Sequence, residues 1–462
     1  MTVELPEIRD LVDGEWATPS VDLGVALEDP ATGAPVARAV ATAPERVDRA
    51  LAVADAAGGR IDADLLETIA DALDTQVARL ADLDSFATGV PVTQTRPLGV
   101  IVAGSFRLAA AQLRAGALRE DRDGVEVHRL PLGPALALVP WNAPAPMAAH
   151  KVANALAAGC PVILKVSELT PYSATLLAGV IAEHVPAGMF QLVHGGVATG
   201  VRLVDDPRIK AVSFTGGVAG GRAVATASAP LFRPCQLELG GNNPLVVLPD
   251  ADTDTAARVA AELLTTLNGQ WCRALGRLIL PAARAPELLE AIGKRLEALR
   301  VGPPLDEHTE FGPLVRSRHA AAIRAAVAQR PHRDFGTVPE TGNYVTPTLL
   351  EGDLADEIFG PVAGVVTYER PEDIVQLADA VPYGLEGYVC GADTEFALAV
   401  ARGIRAGEVK VNGSSIMSLH LMTPRPAWGV SGLGEEGTAE TLRFFTGARV
   451  VGIEGRFALH TS

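Results

Sequence analysis

Three residue types in three separate segments of this 462-residue chain can do chemistry together. Cys272 stands in LNGQWCRALGR (267–277), between a helical pattern and a strand pattern, where a thiol can project into a cleft. A cysteine attacks as its thiolate, which needs an electropositive or hydrogen-bonded setting. Taken alone, Cys272 reads first as a buried structural thiol. Glu238 lies in the apolar stretch QLELGGNNP (236–244), beside a glycine pair that removes side-chain bulk. A carboxyl in such surroundings has a raised pKa and exchanges protons near neutrality; a strand-end acid facing solvent is the other reading. Asn142 follows Trp141 in a loop bounded by Pro140 and Pro144. An amide held rigidly there can donate to a developing oxyanion, or can simply close a turn.

These residues need a scaffold, and the chain has the length for two or three domains. Patterning predicts helices over 44–57 and 62–83, then strands joined by a Pro-Gly turn over 125–139. From there strand and helix alternate: strands at 161–166, 189–195 and 209–215, and helices at 171–184, 197–205 and 217–228. After residue 240 the alternation resumes, with helices at 253–267, 286–300, 371–380 and 394–405. Such alternation predicts parallel sheets covered by helices, an α/β fold. The best domain boundary falls at LELGGNNP (237–244).

Composition excludes several classes. A net charge of −16 argues against nucleic-acid and anionic-membrane partners. No apolar run approaches the roughly 18 residues of a membrane span. The N-terminal MTVELPEIRD has no apolar signal core, and cytoplasm is the expected location. Cys160, Cys235, Cys272 and Cys390 are scattered, with neither a disulfide framework nor metal-type pairing, so no metal is expected. Only five of 39 basic residues are lysine, which draws attention to Lys151 and Lys165.

Taken in order, ten segments resemble the aldehyde dehydrogenase superfamily over nearly the whole chain. They are PWN (140–142), LKVSELTP (164–171), FTGGVAGG (214–221), LELGGNNP (237–244), GQWC (269–272), FGPL (311–314), EIFGPV (357–362), YGL (383–385), VNG (411–413) and SGLGEEG (431–437). The resemblance implies an aldehyde dehydrogenase-like fold with three parts. A Rossmann-like NAD(P)-binding domain takes 1–112 and 132–241, an α/β catalytic domain takes 242–435, and a small β oligomerisation element takes 113–131 and 445–462. It implies oxidation of a small-molecule aldehyde to the acid by a homodimer or homotetramer. Cys272 would add to the aldehyde, the Asn142 amide and the Cys272 N–H would hold the oxyanion, and Glu238 would activate water against the thioester.

Cofactor positions follow in the same way. Lys165 and Glu168 would hold the adenosine ribose, Glu168 favouring NAD over NADP because a carboxylate repels a 2′-phosphate. Trp141, Gly216, Gly217, Gly221 and Leu239 would surround the dinucleotide, its pyrophosphate at a helix N-terminus. Glu357 and Phe359 would hold the nicotinamide ribose and ring. Lys151 and Glu436 would form a proton path from Glu238.

The chain departs from the family pattern in places. Leu267 stands where an Asn is usual, with Asn268 one place later, and Gly217 and Ala219 replace a usual Ser and Glu. Pro424-Arg425-Pro426-Ala427 replaces Pro-Phe-Gly-Gly, and the stretch around 55–65 is short. Substrate-pocket positions become Ala143, Met147, His150, Trp271, Arg273 and Arg425. Ala143 and His150 would widen the tunnel. Arg273 and Arg425 would bring positive charge to a bulky, anionic substrate, or pair with neighbouring acids instead. Two alternatives stand beside the main reading. One is a CoA-acylating dehydrogenase, against which Glu238 argues; the other is a catalytically silent member of the fold.

Overall fold

The computed structural model describes residues 3–59 and 61–454. Two sheets organise it. The first has the strand order Glu15–Ala17, Asp10–Val12, Phe190–Val193, Val162–Val166, Ala135–Val139, Ala211–Thr215, Cys235–Glu238, Gly432–Leu433. Its five central strands run parallel, and the outer ones pair antiparallel. Those parallel strands are short, apolar and almost wholly buried, as expected of a sheet covered on both faces.

The second sheet has the order His332–Asp334, Thr348–Glu351, Val362–Tyr368, Leu275–Pro281, Asn243–Val247, Glu386–Cys390, Glu408–Val411. Only its outermost pair, between His332–Asp334 and Thr348–Glu351, is antiparallel. The chain passes from one sheet to the other between Glu238, the last residue of a strand, and Asn243, the first of the next. That crossing lies within the 237–244 segment marked from the sequence. Gly432–Leu433, assigned from the sequence to the second domain, instead adds an antiparallel edge to the first sheet, where Glu238 pairs with Gly432.

The small antiparallel sheet joins Thr446–Val451, Val125–Pro131 and Arg119–Arg122. Residues 455–462 of the expected oligomerisation element lie outside the described residues.

Two helical regions differ from expectation. The pattern over 62–83 is two helices, Ala63–Asp74 and Val77–Thr88, interrupted at Thr75 and Gln76. A third helix, Val92–Arg114, is the longest described and was not anticipated, because Pro97 lies inside it. Proline normally ends a helix. Here it falls in the second turn, where its missing N–H costs a single hydrogen bond near the start. The helix is repaid by burying Leu98, Val102, Phe106 and Ala109 against the molecule.

Candidate functional site

The loop carrying Cys272 is strained and then braced. After the helix Thr253–Thr265, Leu267, Asn268 and Gly269 all take left-handed φ of 50°, 59° and 73°. That conformation costs a non-glycine residue roughly 1–2 kcal/mol. The Asn268 amide compensates: Nδ2 donates to the Gly89 and Pro313 carbonyls at 2.8 and 2.9 Å, and Oδ1 accepts from Gly312 N–H at 2.8 Å. The Gln270 side chain accepts from Val315 N–H at 2.9 Å. Asn268, one place from the position usual for asparagine, therefore performs the bracing, while Leu267 lines the cavity.

The glycine pair after Glu238 has a steric reason. A Cβ on Gly240 would collide with the Glu357 carboxyl, and one on Gly241 with the Cys272 carbonyl oxygen. Asn243 Nδ2 then donates to the carbonyls of Cys272 and Ala274 at 2.9 and 2.8 Å. With these clamps in place the Cys272 thiol points at Glu238, Sγ standing 3.4 Å from Oε1 and 3.8 Å from Oε2. Asn142 Nδ2 donates to the Gln270 carbonyl at 2.9 Å, which ties the amide to the nucleophile loop and leaves its second N–H over.

These three residues line one cavity of about 380 Å³ with Pro140, Trp141, Ala143, Met147, His150, Gly216, Gly217, Leu239, Trp271, Glu357, Phe359, Arg425 and Glu436. Its mouth carries an aromatic cluster, Trp141 lying edge-on to both Phe359 and His319 with centroids at 5.5 Å. His319 Nε2 sits 2.8 Å from the Phe359 carbonyl. Sequence reasoning missed His319, and also Leu98 and Ile101, whose spacing of three on one helix face was hidden by the Pro97 signal.

A second cavity of about 420 Å³ shares Ile101, His150, Ile416 and Arg425 with the first. Arg425 therefore stands at the junction. Its Nε is buried without a hydrogen-bond partner among the described residues.

The electrostatics follow from burial. Burial raises the Glu238 pKa, and the nearby Glu436 carboxylate raises it further, while Arg273 and Arg425 oppose both. Burial and then Glu238 push the Cys272 thiol well above its usual value. Burial pushes Glu357 up to about 8, despite the Gly241 N–H it accepts at 3.1 Å. Burial is the largest single influence on Glu436 and works against its charge, but Lys151, His150 and Arg425 together outweigh it and hold that carboxyl low. Lys151 Nζ bonds Glu436 Oε1 and Ser213 Oγ, each at 2.7 Å, with both charged partners buried.

The remaining sequence candidates are spread more widely. Lys165 is the penultimate residue of the strand Val162–Val166. It is buried, donates to the Val166 carbonyl at 3.0 Å, and is lowered to about 8 chiefly by burial, with Glu168 pulling it back up. Neither Lys165 nor Glu168 is among the residues lining the cavity. Gly221 is buried under Leu239, where any Cβ would collide with that side chain, so its part is packing within the turn.

Arg273 requires a correction: it does not line the substrate cavity. Its guanidinium is 1% exposed and turned into the second sheet, where Nη1 donates to Glu386 Oε2 at 2.5 Å. The physical reason is charge. A guanidinium beside buried carboxylates on neighbouring strands is held there rather than released into a cavity.

Comparison with known proteins agrees with this architecture. Residues 16–451 match the aldehyde dehydrogenase family. A 3-succinoylsemialdehyde-pyridine dehydrogenase of Pseudomonas sp is 32% identical over 96% of this chain and 98% of its own length. A geranial dehydrogenase of Castellaniella defragrans is 33% identical, covering 89% of this chain and 92% of that protein. Among solved structures, aldehyde dehydrogenase C of Pseudomonas syringae, a C291A mutant with NAD+ and octanal, superposes with a TM-score of 0.90 at 28% identity, covering 98% of both chains. A Mycobacterium tuberculosis aldehyde dehydrogenase with NAD+ gives 0.90 at 29% identity over 97% and 98%. The chain belongs to the aldehyde dehydrogenase family.

Proposed function

We propose that this protein oxidises an aldehyde to its carboxylic acid with NAD as acceptor, NADP being the alternative, through a thioester on Cys272. The observation that carries the reading is the Cys272 Sγ to Glu238 Oε1 distance of 3.4 Å inside a cavity that Asn142 also lines. A thiol whose pKa is raised by burial needs a base at hand, and Glu238, whose own pKa burial raises, takes its proton. The sulfur adds to the carbonyl carbon, and the second Asn142 N–H and the Cys272 N–H carry the oxyanion of the thiohemiacetal. NAD, when bound, supplies the two-electron oxidant that leaves a thioester on Cys272. Lys151 and Glu436 pass the thiol proton on from Glu238. The freed carboxylate then takes a proton from water as it attacks the thioester and returns it to the leaving sulfur, so that the acid and the free thiol are released.

The chain's own residues fit a dinucleotide. The helix Val218–Ser228 begins at Gly217 with no side-chain cap, so its first N–H groups are open to a pyrophosphate, and a Cβ on Gly217 would meet nothing. Lys165 has two further N–H donors for a ribose hydroxyl, and Glu168 stands close enough to raise its pKa. Glu357 and Phe359 line the same cavity as Cys272, suited to the nicotinamide ribose and ring.

The substrate is bulky and anionic on this reading. Its aldehyde meets Cys272, and its tail passes Arg425 into the second cavity, where the guanidinium that lines both cavities offers a charge-assisted bond. Copies of the chain would meet along the small sheet, whose Val450 and Val451 are exposed.

The test is reduced-nicotinamide absorbance over aliphatic, aromatic and anionic aldehydes with NAD and NADP. Cys272→Ala should abolish turnover and Glu238→Gln should leave at most one turnover, read as a burst without a steady state. Formation of acyl-CoA in place of acid when CoA is added, or no reduction with any aldehyde, would overturn the reading. Arg425→Leu should lower kcat/KM about tenfold for anionic aldehydes relative to neutral ones, roughly 1.4 kcal/mol; an unchanged ratio removes the substrate assignment.

A further inference from the structure

A cluster of buried charges lies behind Cys272 that the reaction above does not use. Arg273 Nη1 donates to Glu386 Oε2 at 2.5 Å and stands 3.5 Å from Glu408 Oε2. The other Glu386 oxygen is 2.6 Å from Lys410 Nζ, which also donates to the Ser415 carbonyl at 2.8 Å. The Tyr388 hydroxyl donates to the Arg273 carbonyl at 2.7 Å. Glu386 and Glu408 are register partners at the start of adjacent strands, and Lys410 follows on the second of them. Two cations and two carboxylates thus balance at one edge of the second sheet, immediately behind the nucleophile.

Arg273 keeps a surplus. Its Nε and Nη2 have no hydrogen-bond partner among the described residues, although the side chain is 1% exposed. Nη2 lies 3.9 Å from Glu238 Oε1. Leaving buried guanidinium donors unmet is costly, and a chain needing only packing there could use an apolar residue. What the arrangement supplies is a fixed positive edge facing the carboxylate that must accept the Cys272 proton.

We propose that Arg273 is a positioning residue that keeps the Glu238 carboxylate ionised and seated beside Cys272, and that Glu386, Glu408 and Lys410 pin its guanidinium for that purpose. Removal of the cation leaves Glu238 facing Glu436, Glu357, Arg425 and the Cys272 thiol. Of these, the Glu436 carboxylate favours its protonation, and a protonated Glu238 cannot take the thiol proton. The pinning also reaches the cavity wall: Glu408 Oε1 accepts from Leu419 N–H at 2.6 Å, and Lys410 holds the carbonyl of Ser415 next to Ile416, which lines both cavities.

The inference rests on Glu238 serving Cys272, and its test uses neither aldehyde nor nucleotide. The rate of Cys272 alkylation by iodoacetamide is followed against pH in the full chain, with Cys272→Ala as the blank. In Arg273→Met the rate near neutrality should fall about tenfold and the midpoint should move up by about one pH unit. Arg273→Lys, which keeps the charge, should recover part of the shift. Glu238→Gln should show no such acid-side dependence in either background. Should Arg273→Met fail to fold by circular dichroism, Arg273→Met/Glu386→Gln, which leaves one cation, Lys410, and one carboxylate, Glu408, in the cluster, takes its place, with the same shift expected. A midpoint unmoved in the folded variant, or Arg273→Lys behaving as Arg273→Met, overturns the proposal. Aldehyde oxidation by the unsubstituted chain beside either result would leave the proposed reaction standing.

Discussion

Two buried ion pairs flank Glu238, and they are oriented oppositely. In Lys151–Glu436 the carboxylate faces Glu238, and its charge pushes the Glu238 pKa up. In Arg273–Glu386 the cation faces Glu238, and it pulls the pKa down. Both pairs are almost fully excluded from water, so each field is felt with little screening. Burial alone pushes the Glu238 pKa up. The two pairs bracket its proton affinity from either side, which suits a group that must accept a proton and give it up again. They differ in redundancy too. Lys151 holds one carboxylate, whereas Glu386 is shared by two cations and Arg273 by two acids.

That difference is open to breakage. The largest effect is expected for Glu386→Gln, which strands Arg273 and Lys410 together. Loss of one partner from a buried pair costs about 3–5 kcal/mol, and this variant should unfold at the lowest urea concentration of the set. Lys151→Met should cost less, because Glu436 can take up a proton and become neutral. A reversed order would mean that the shared carboxylate is not the keystone.

The next effect concerns sign. Glu436→Gln removes the negative neighbour and should move the acid limb of Cys272 alkylation down in pH, by about one unit, opposite to Arg273→Met. Shifts in the same direction would show that the two pairs act through shape and not through field.

The smallest effect lies at the cavity wall and concerns stability. Glu357 has a folded pKa of about 8 against an ordinary carboxyl value of 4.5, so between those values the folded chain binds more protons than the unfolded one. Its contribution is fully present below about pH 4.5 and is lost as pH rises through 8. Glu357→Gln should therefore flatten the fall in urea stability from pH 5 to pH 9, by up to a few kcal/mol. An identical pH profile in the variant would place the Glu357 carboxyl in water rather than against Gly240.

Much of the architecture was legible because its signals are local. The strand Val162–Val166 and the helix Val218–Ser228 were anticipated from apolar runs and glycine punctuation alone. The helix Val92–Arg114 was not, because Pro97 is a local veto that only long-range burial of Leu98 and Phe106 overrides. The scarcity of lysine pointed to Lys151 and Lys165, both buried; the same reasoning applied to Lys410 would have found the third. His319 had no such signal, since its ring matters only through Trp141 and Phe359, which are distant in sequence.

Cys272, Glu238 and Asn142 were readable as reacting candidates from the sequence only together, because each alone admits an ordinary structural reading and it is the ordered set of ten segments that resembles the family. Tertiary structure alone decided which way Arg273 turns. It lies next to the nucleophile, and from the sequence it could enter the substrate cavity or leave it. Its partner Glu386 is 113 residues away, brought close by parallel pairing of strands in the second sheet. Buried charge follows the nearest opposite charge in space, and spatial proximity across a sheet is set by the order of its strands and not by the order of its residues.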